Sequence, residues 1–202
     1  MDSLPHQLDT LCYGGSFNPV HVGHLAVARN ISYRLGYAQV MLIPAGDPPH
    51  KVDDAELAPA ADRLAMCRLA VAGQSGFVVD DLELHRSGPS YTIDTVRELR
   101  RRGLGRLGWL IGADWLPKLP TWRCWDELQR EVRFVIARRP GFEIDFHKLP
   151  AAVQSLRDHV VDAPLVDVSS TDIRQRVRRG QPITGLVPPE VERYIHDHRL
   201  YR

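Results

Sequence analysis

A chain of 202 residues, 44% of them hydrophobic, is long enough to bury one sizeable core. It reads as a single domain over 1–202, with a C-terminal helical part from about 169 to 202. The 26 basic and 25 acidic side chains nearly cancel to a formal charge of +1, which argues against nucleic-acid or membrane surfaces, since both need clustered positive charge. Cys12, Cys67 and Cys124 are odd in number and far apart, so they read as reduced thiols rather than a disulfide frame or zinc site. No apolar signal-peptide core opens the sequence, and no apolar run approaches the roughly 20 residues that span a bilayer. The expected compartment is therefore the cytoplasm.

In chain order, short apolar strands alternate with helical patterns. Thr10 to Tyr13 leads into Gly14-Gly15, and a helix is expected from Val22 to about Leu35, stopped by Gly36. Gln39 to Pro44 is the next strand, followed by the proline-dense loop Gly46 to Lys51. Between Pro59 and Ala72, the residues Ala60, Leu64, Cys67 and Val71 share one helical face. A strand is expected at Phe77 to Leu84, then a helix from about Tyr91 to Arg102 with Ser90 as cap and Gly103 as stop. Leu107 to Ile111 and Val132 to Ala137 are further strands, separated by a tryptophan-rich segment with short helical turns. Leu165 to Val168 reads as the last strand, with two helices after it.

This alternation implies an α/β fold: a doubly wound, Rossmann-like parallel sheet with helices on both faces, closed by a small C-terminal helical segment. In such sheets ligands sit beyond the carboxyl ends of the strands, where the strand order reverses. Functional residues should lie in the loops after strands.

The first such loop, Gly14-Gly15-Ser16-Phe17-Asn18-Pro19-Val20-His21-Val22-Gly23-His24, is the most informative stretch. Two glycines let the backbone turn tightly against a ligand. The helix start that follows favours an anion. His21 and His24, three apart, share a face, and Gly23 keeps it open. The pair suits a phosphate; a zinc site lacks further ligands nearby, and surface histidines are the bland alternative. No Gly-x-x-x-x-Gly-Lys-Ser/Thr loop competes for the role. The last loop, Val168-Ser169-Ser170-Thr171-Asp172-Ile173-Arg174, also opens a helix, where hydroxyls can cap and Arg174 can reach a phosphate held at the helix end.

These two motifs together resemble the nucleotidyltransferase superfamily that carries the His-x-Gly-His signature. Within it the chain resembles the bacterial nicotinate-nucleotide adenylyltransferase family along nearly its whole length. Pro48-Pro49-His50-Lys51, Ser90-Tyr91-Thr92-Ile93-Asp94-Thr95, Gly112-Ala113-Asp114, Pro120-Thr121-Trp122, Arg138-Arg139-Pro140-Gly141 and Leu200-Tyr201-Arg202 carry that part of the likeness. Departures are mild: Asn18 replaces a common aspartate and Val168 a common isoleucine.

The resemblance implies adenylyl transfer from ATP to nicotinate mononucleotide, by in-line attack with no covalent enzyme intermediate. It implies His21, His24 and Arg174 as catalytic residues. It implies Gly14, Gly15, Ser16, Phe17, Asp114, Ser170, Thr171 and Arg138 around ATP and its phosphates. It implies Lys51, Thr92, Trp122 and Arg123 around the mononucleotide, with Trp122 stacking on the ring and the backbone N–H groups of Thr92 and Arg123 on the carboxylate. Mg2+ is expected to arrive on the ATP phosphates, with no metal ligand from the protein. The partners implied are the small-molecule substrates ATP and nicotinate mononucleotide, with no nucleic acid and no membrane; the sequence leaves the oligomeric state open.

Other residues take plainer readings. Trp109, Trp115 and Trp125 are expected in the core or at an interface, and Arg100, Arg101 and Arg102 at a solvated helix end. Cys124 has no base in view. The alternatives are a relative acting on phosphopantetheine or nicotinamide mononucleotide, a non-catalytic nucleotide sensor, and a metal-dependent hydrolase that would need an acidic cluster.

Overall fold

The computed structural model describes residues 9–50 and 55–202. Six strands form one parallel sheet: β1 (Thr10–Gly15), β2 (Gln39–Pro44), β3 (Phe77–Val79), β4 (Leu107–Gly112), β5 (Arg133–Arg138) and β6 (Val160–Asp162). Their spatial order is β3-β2-β1-β4-β5-β6, so the order reverses between β1 and β4. The helices are α1 (Val22–Leu35), α2 (Ala60–Val71), α3 (Thr92–Arg101), α4 (Trp125–Glu131), α5 (Ala151–Gln154), α6 (Ser170–Arg178) and α7 (Pro189–Asp197).

The two-residue period of a strand divides the apolar runs between two cores. Leu11, Val40, Leu42, Leu110 and Val135 face α1, α2, α6 and α7 through Ala28, Met66, Ile173 and Val191. Their chain neighbours Cys12, Met41, Ile43, Trp109 and Phe134 face α3, α4 and the turns after β4, through Ile93, Leu128, Leu116 and Leu119. The C-terminal helices thus bury their apolar stripe in the same core as β1. Gly36 ends α1 with φ 69°, and Gly103 follows α3 with φ 74°.

The site is opened by a difference in pairing. β1 pairs with β2 along its whole length, from Thr10 opposite Gln39 to Gly15 opposite Pro44. It pairs with β4 only over Thr10 to Cys12. Beyond that point the two strands part, and a crevice opens at their carboxyl ends.

Three local expectations are corrected. Leu165 to Val168 is not a strand: the last ladder bond runs from Ala163 N–H to the Arg138 carbonyl, and Pro164 has no N–H to continue it. The final strand is β6, and Leu165 is exposed. The strand expected to reach Leu84 stops at Val79, because Asp80 Oδ1 accepts the Leu82 N–H at 2.9 Å and turns the chain. Ser90 does not cap α3, whose cap position is Tyr91; its hydroxyl accepts the N–H groups of Gly46 and Asp47 at 3.0 and 3.2 Å.

Candidate active site

Two cavities open at the crevice. The first, about 410 Å³, is walled by the start of α1 (His21, Gly23, His24), by Arg139 to Phe142 after β5, and by Ala163 to Ser170 before α6. The second, about 380 Å³, is walled by Gly14 to Phe17, Pro48 to His50, Ser90 to Thr92 and the Trp115–Arg123 segment. Tyr13, His24, Asp114 and Arg139 line both, so the cavities meet at these side chains.

The histidines are held by their own backbone. His21 is the cap residue of α1, and its N–H donates to His24 Nδ1 at 3.2 Å. Accepting there puts the proton of a neutral His24 on Nε2, which makes that atom a donor. The two rings stack with centroids 3.6 Å apart, and Phe17 and Tyr13 meet His24 edge-on at 5.2 and 5.8 Å. A Cβ on Gly23 would lie 2.8 Å from Val168 Cγ1, so only glycine lets the loop before α6 close over α1. Burial, with Arg139 nearby, pulls His21 down to about 4. Burial, then His21 and Arg139, holds His24 well below the usual histidine range. Both imidazoles are neutral near pH 7, and His21 Nδ1 is buried with no protein partner among the described residues.

At the start of α1 the Val22 N–H donates to the Leu186 carbonyl and the His24 N–H to the His21 carbonyl, both at 3.0 Å, so part of the first turn is satisfied within the protein. Ser170 lines the first cavity and donates its hydroxyl to the Pro19 carbonyl at 2.9 Å, tying α6 to the first turn. Asp114 leans back over Gly112, where a Cβ would lie 2.3 Å from its Oδ1. In the second cavity Trp122 is half-buried, edge-on to Trp115 at 5.8 Å. Thr92 is the first residue of α3, whose opening N–H groups have no intrahelical acceptor. The guanidinium of Arg123 sits over the Tyr91 ring at 4.9 Å.

The fold therefore brings His21, His24, Asp114 and Ser170 to the first cavity, and Gly14, Gly15, Ser16, Phe17, Thr92, Trp122 and Arg123 to the second. It does not bring Arg138, Thr171 or Arg174 to either. Arg138 stands opposite Asp162 in the β5–β6 ladder and binds its carboxylate at 2.6 Å. Thr171 is exposed beyond the helix start. Arg174 is buried, donating to Glu56 Oε2 at 2.8 Å and to the Asn18 carbonyl at 2.9 Å. Lys51 lies outside the described residues.

Arg139, His50 and Trp115 line the cavities, although sequence reasoning gave them no site role. Adjacent arginines carry no local signal for which one faces the cleft. For Trp115 the signal was its place in a loop after a strand.

A doubly wound sheet with two cavities meeting at neutral imidazoles on a helix start defines a nucleotide-binding protein of the nucleotidyltransferase class. The chain belongs to the cytidylyltransferase-like family, whose model matches residues 12–176. It is 44% identical to a probable nicotinate-nucleotide adenylyltransferase of Synechococcus sp. over 98% of this chain and 96% of the relative. It is 41% identical to a probable nicotinate-nucleotide adenylyltransferase of Neisseria meningitidis serogroup B, over 94% of this chain and 96% of that one. In fold it matches the Plasmodium falciparum nicotinic acid mononucleotide adenylyltransferase complexed with NaAD, with a TM-score of 0.75 at 21% identity over 96% and 97% of the two chains.

Proposed function

We propose that the protein transfers the adenylyl group of ATP to nicotinate mononucleotide, giving nicotinate adenine dinucleotide and pyrophosphate in NAD biosynthesis. The observation that carries this reading is the junction: two cavities, each large enough for a nucleotide, share His24, Asp114 and Arg139. ATP fits the first and the mononucleotide the second, so their phosphates meet at the shared side chains. The names of the curated relatives point the same way.

The phosphate of the mononucleotide is already ionised and needs no general base. Its oxygen bonds to the α-phosphorus in line, the bond to the β-phosphate bridge breaks, and pyrophosphate leaves with that electron pair. Positioning and charge stabilisation carry the rate; orientation alone can supply about 7–11 kcal/mol. His24 Nε2 donates to the reacting phosphate, and His21 and Arg139 act beside it. The main-chain N–H of Ser170 at the start of α6 and the backbone of Gly15 and Ser16 hold neighbouring phosphates, and Asp114 accepts ribose hydroxyls. Arg174 acts one step back, by holding the Asn18 carbonyl of the first turn. ATP enters as its magnesium complex, because Mg2+ prefers phosphate oxygens and water to an all-protein cage. Among the described residues no group of three or more His, Cys, Asp or Glu is placed to hold a metal.

Trp122 stacks on the pyridine ring, and the N–H groups of Thr92 and Arg123 take its carboxylate. Donors without acceptors favour an acid over an amide, whose NH2 would find nothing to bind. Among the described residues no helix is long and apolar enough to cross a membrane, and we place the reaction in the cytoplasm. The C-terminal helical part, buried in the core of β1, works as one unit with the rest. The test is pyrophosphate release from ATP and Mg2+ with nicotinate mononucleotide, nicotinamide mononucleotide or phosphopantetheine supplied separately. Turnover with the first alone is expected; preference for another acceptor overturns the pyridine assignment, and silence with all three overturns the reaction.

A further inference from the structure

We propose that Arg63 is a positioning residue that locks the phosphate-binding turn to the pyridine-binding loop and thereby sets the span available to the mononucleotide. Arg63 lies in α2, is 1% exposed, and touches neither cavity. Its Nε donates to the Ala58 carbonyl at 2.9 Å, Nη1 to the Ser16 carbonyl at 2.8 Å and Nη2 to the Gly46 carbonyl at 3.1 Å. All three acceptors are main chain, and they come from three separate segments.

No carboxylate pairs with this guanidinium among the described residues; Glu83 attracts it only through space. Burying a cation without a paired anion costs several kcal/mol, which the bonds to three main-chain carbonyls offset only in part. What the guanidinium supplies is geometry, because its planar fork presents several donors at fixed angles.

The geometry falls on the two substrate turns. A trans peptide points its carbonyl and its N–H in opposite directions. Drawing the Ser16 carbonyl to Arg63 turns the Phe17 N–H away from it, and both residues wall the second cavity. The Gly46–Asp47 peptide is gripped at both ends: Arg63 takes its carbonyl and Ser90 Oγ takes its N–H at 3.2 Å. Ser90 immediately precedes the start of α3, where the carboxylate is proposed to bind. A Cβ on Gly46 would lie 2.4 Å from the Glu83 carbonyl oxygen, so the strap fits only as glycine. An unbroken chain of bonds thus runs from the phosphate turn through Arg63, Gly46 and Ser90 to the pyridine end.

The inference rests on the mononucleotide reading of the second cavity. Its test is steady-state kinetics and thermal unfolding of Arg63→Met, Arg63→Lys and the double variant with Ser90→Ala. Arg63→Met leaves the Ala58, Ser16 and Gly46 carbonyls without this donor and is expected to unfold at a lower temperature than the unsubstituted protein while staying folded at the assay temperature. Its kcat is expected to fall by about 10- to 100-fold with a raised KM for the mononucleotide, while KM for ATP stays within about two-fold, since a 1 Å misplacement alone costs on the order of 100-fold. Arg63→Lys keeps the charge but not the fork, and shows the same split. Adding Ser90→Ala to either lowers the rate little further, because both grips act on one peptide. Folded variants with unchanged kcat and KM, or losses that only track the fraction unfolded, overturn the proposal. If Arg63→Met does not fold, Arg63→Lys decides on the same criteria. If the unsubstituted protein does not use the mononucleotide, the functional reading falls, and this inference falls with it.

Discussion

The backbone N–H of His21 donates to Nδ1 of His24 at 3.2 Å, so the first histidine of the pair sets the tautomer of the second. A neutral His24 therefore presents a donor at Nε2, the form that a developing negative charge on phosphate requires. Replacing His24 by alanine removes that donor but leaves both cavities open. Turnover should fall by about 100- to 1,000-fold with a smaller change in nucleotide affinity. Rapid-quench kinetics beside equilibrium ATP binding measures the two separately, and equal losses would reduce His24 to a binding group.

Burial of two neutral imidazoles also shapes stability against pH. His21 falls from 6.5 to about 4 in the folded protein, and His24 falls well below 6.5. The unfolded chain thus binds protons below about pH 6.5 that the folded protein refuses, so stability is full above that value and declines as pH drops towards 4. For His21 alone the loss approaches roughly 3 kcal/mol. Urea unfolding at pH 7.5, 6, 5 and 4.5 should show the decline, and His21→Gln should flatten it. An unchanged slope in that variant would place the titration elsewhere.

Arg138 and Arg139 are neighbours with different duties. Arg139 lines both cavities, whereas Arg138 is paired to Asp162 at 2.6 Å. Arg139→Ala should lower kcat/KM by about 100-fold, from loss of charge-assisted bonds to phosphate worth about 1.5–3 kcal/mol each. Arg138→Ala breaks a largely exposed pair worth at most about 1 kcal/mol and should leave the kinetics nearly unchanged. The reverse ranking would mean that Arg138 leaves Asp162 for the substrate.

Trp122 packs edge-on against Trp115 and Phe134, which leaves its ring held but half-exposed in the wall of the second cavity. Trp122→Ala should raise KM for the mononucleotide by about 10-fold, in line with 1–3 kcal/mol for base stacking, and leave KM for ATP nearly unchanged. A change confined to ATP would move the pyridine ring out of this cavity.

Much of this protein is local and is therefore written in the sequence. Apolar spacing and the punctuation of Gly36 and Gly103 mark the helices, and the alternation of strand with helix implies a parallel sheet covered on both faces. The helix start after Gly14-Gly15 is likewise legible, because a short turn into a helix is a property of a few adjacent residues, whereas the bond from the Val22 N–H to the Leu186 carbonyl is not. Long-range pairing decided the rest. Whether Arg138 or Arg139 faces the cleft depends on Asp162 standing opposite Arg138 in a strand more than twenty positions on. Arg174 is turned from the cleft by Glu56, 118 positions earlier, and Ser90 is drawn from its own helix to the loop after β2. The cavities themselves exist because β1 stops pairing with β4 after Cys12 while it continues with β2, and such a register is set only when both neighbours are packed in place.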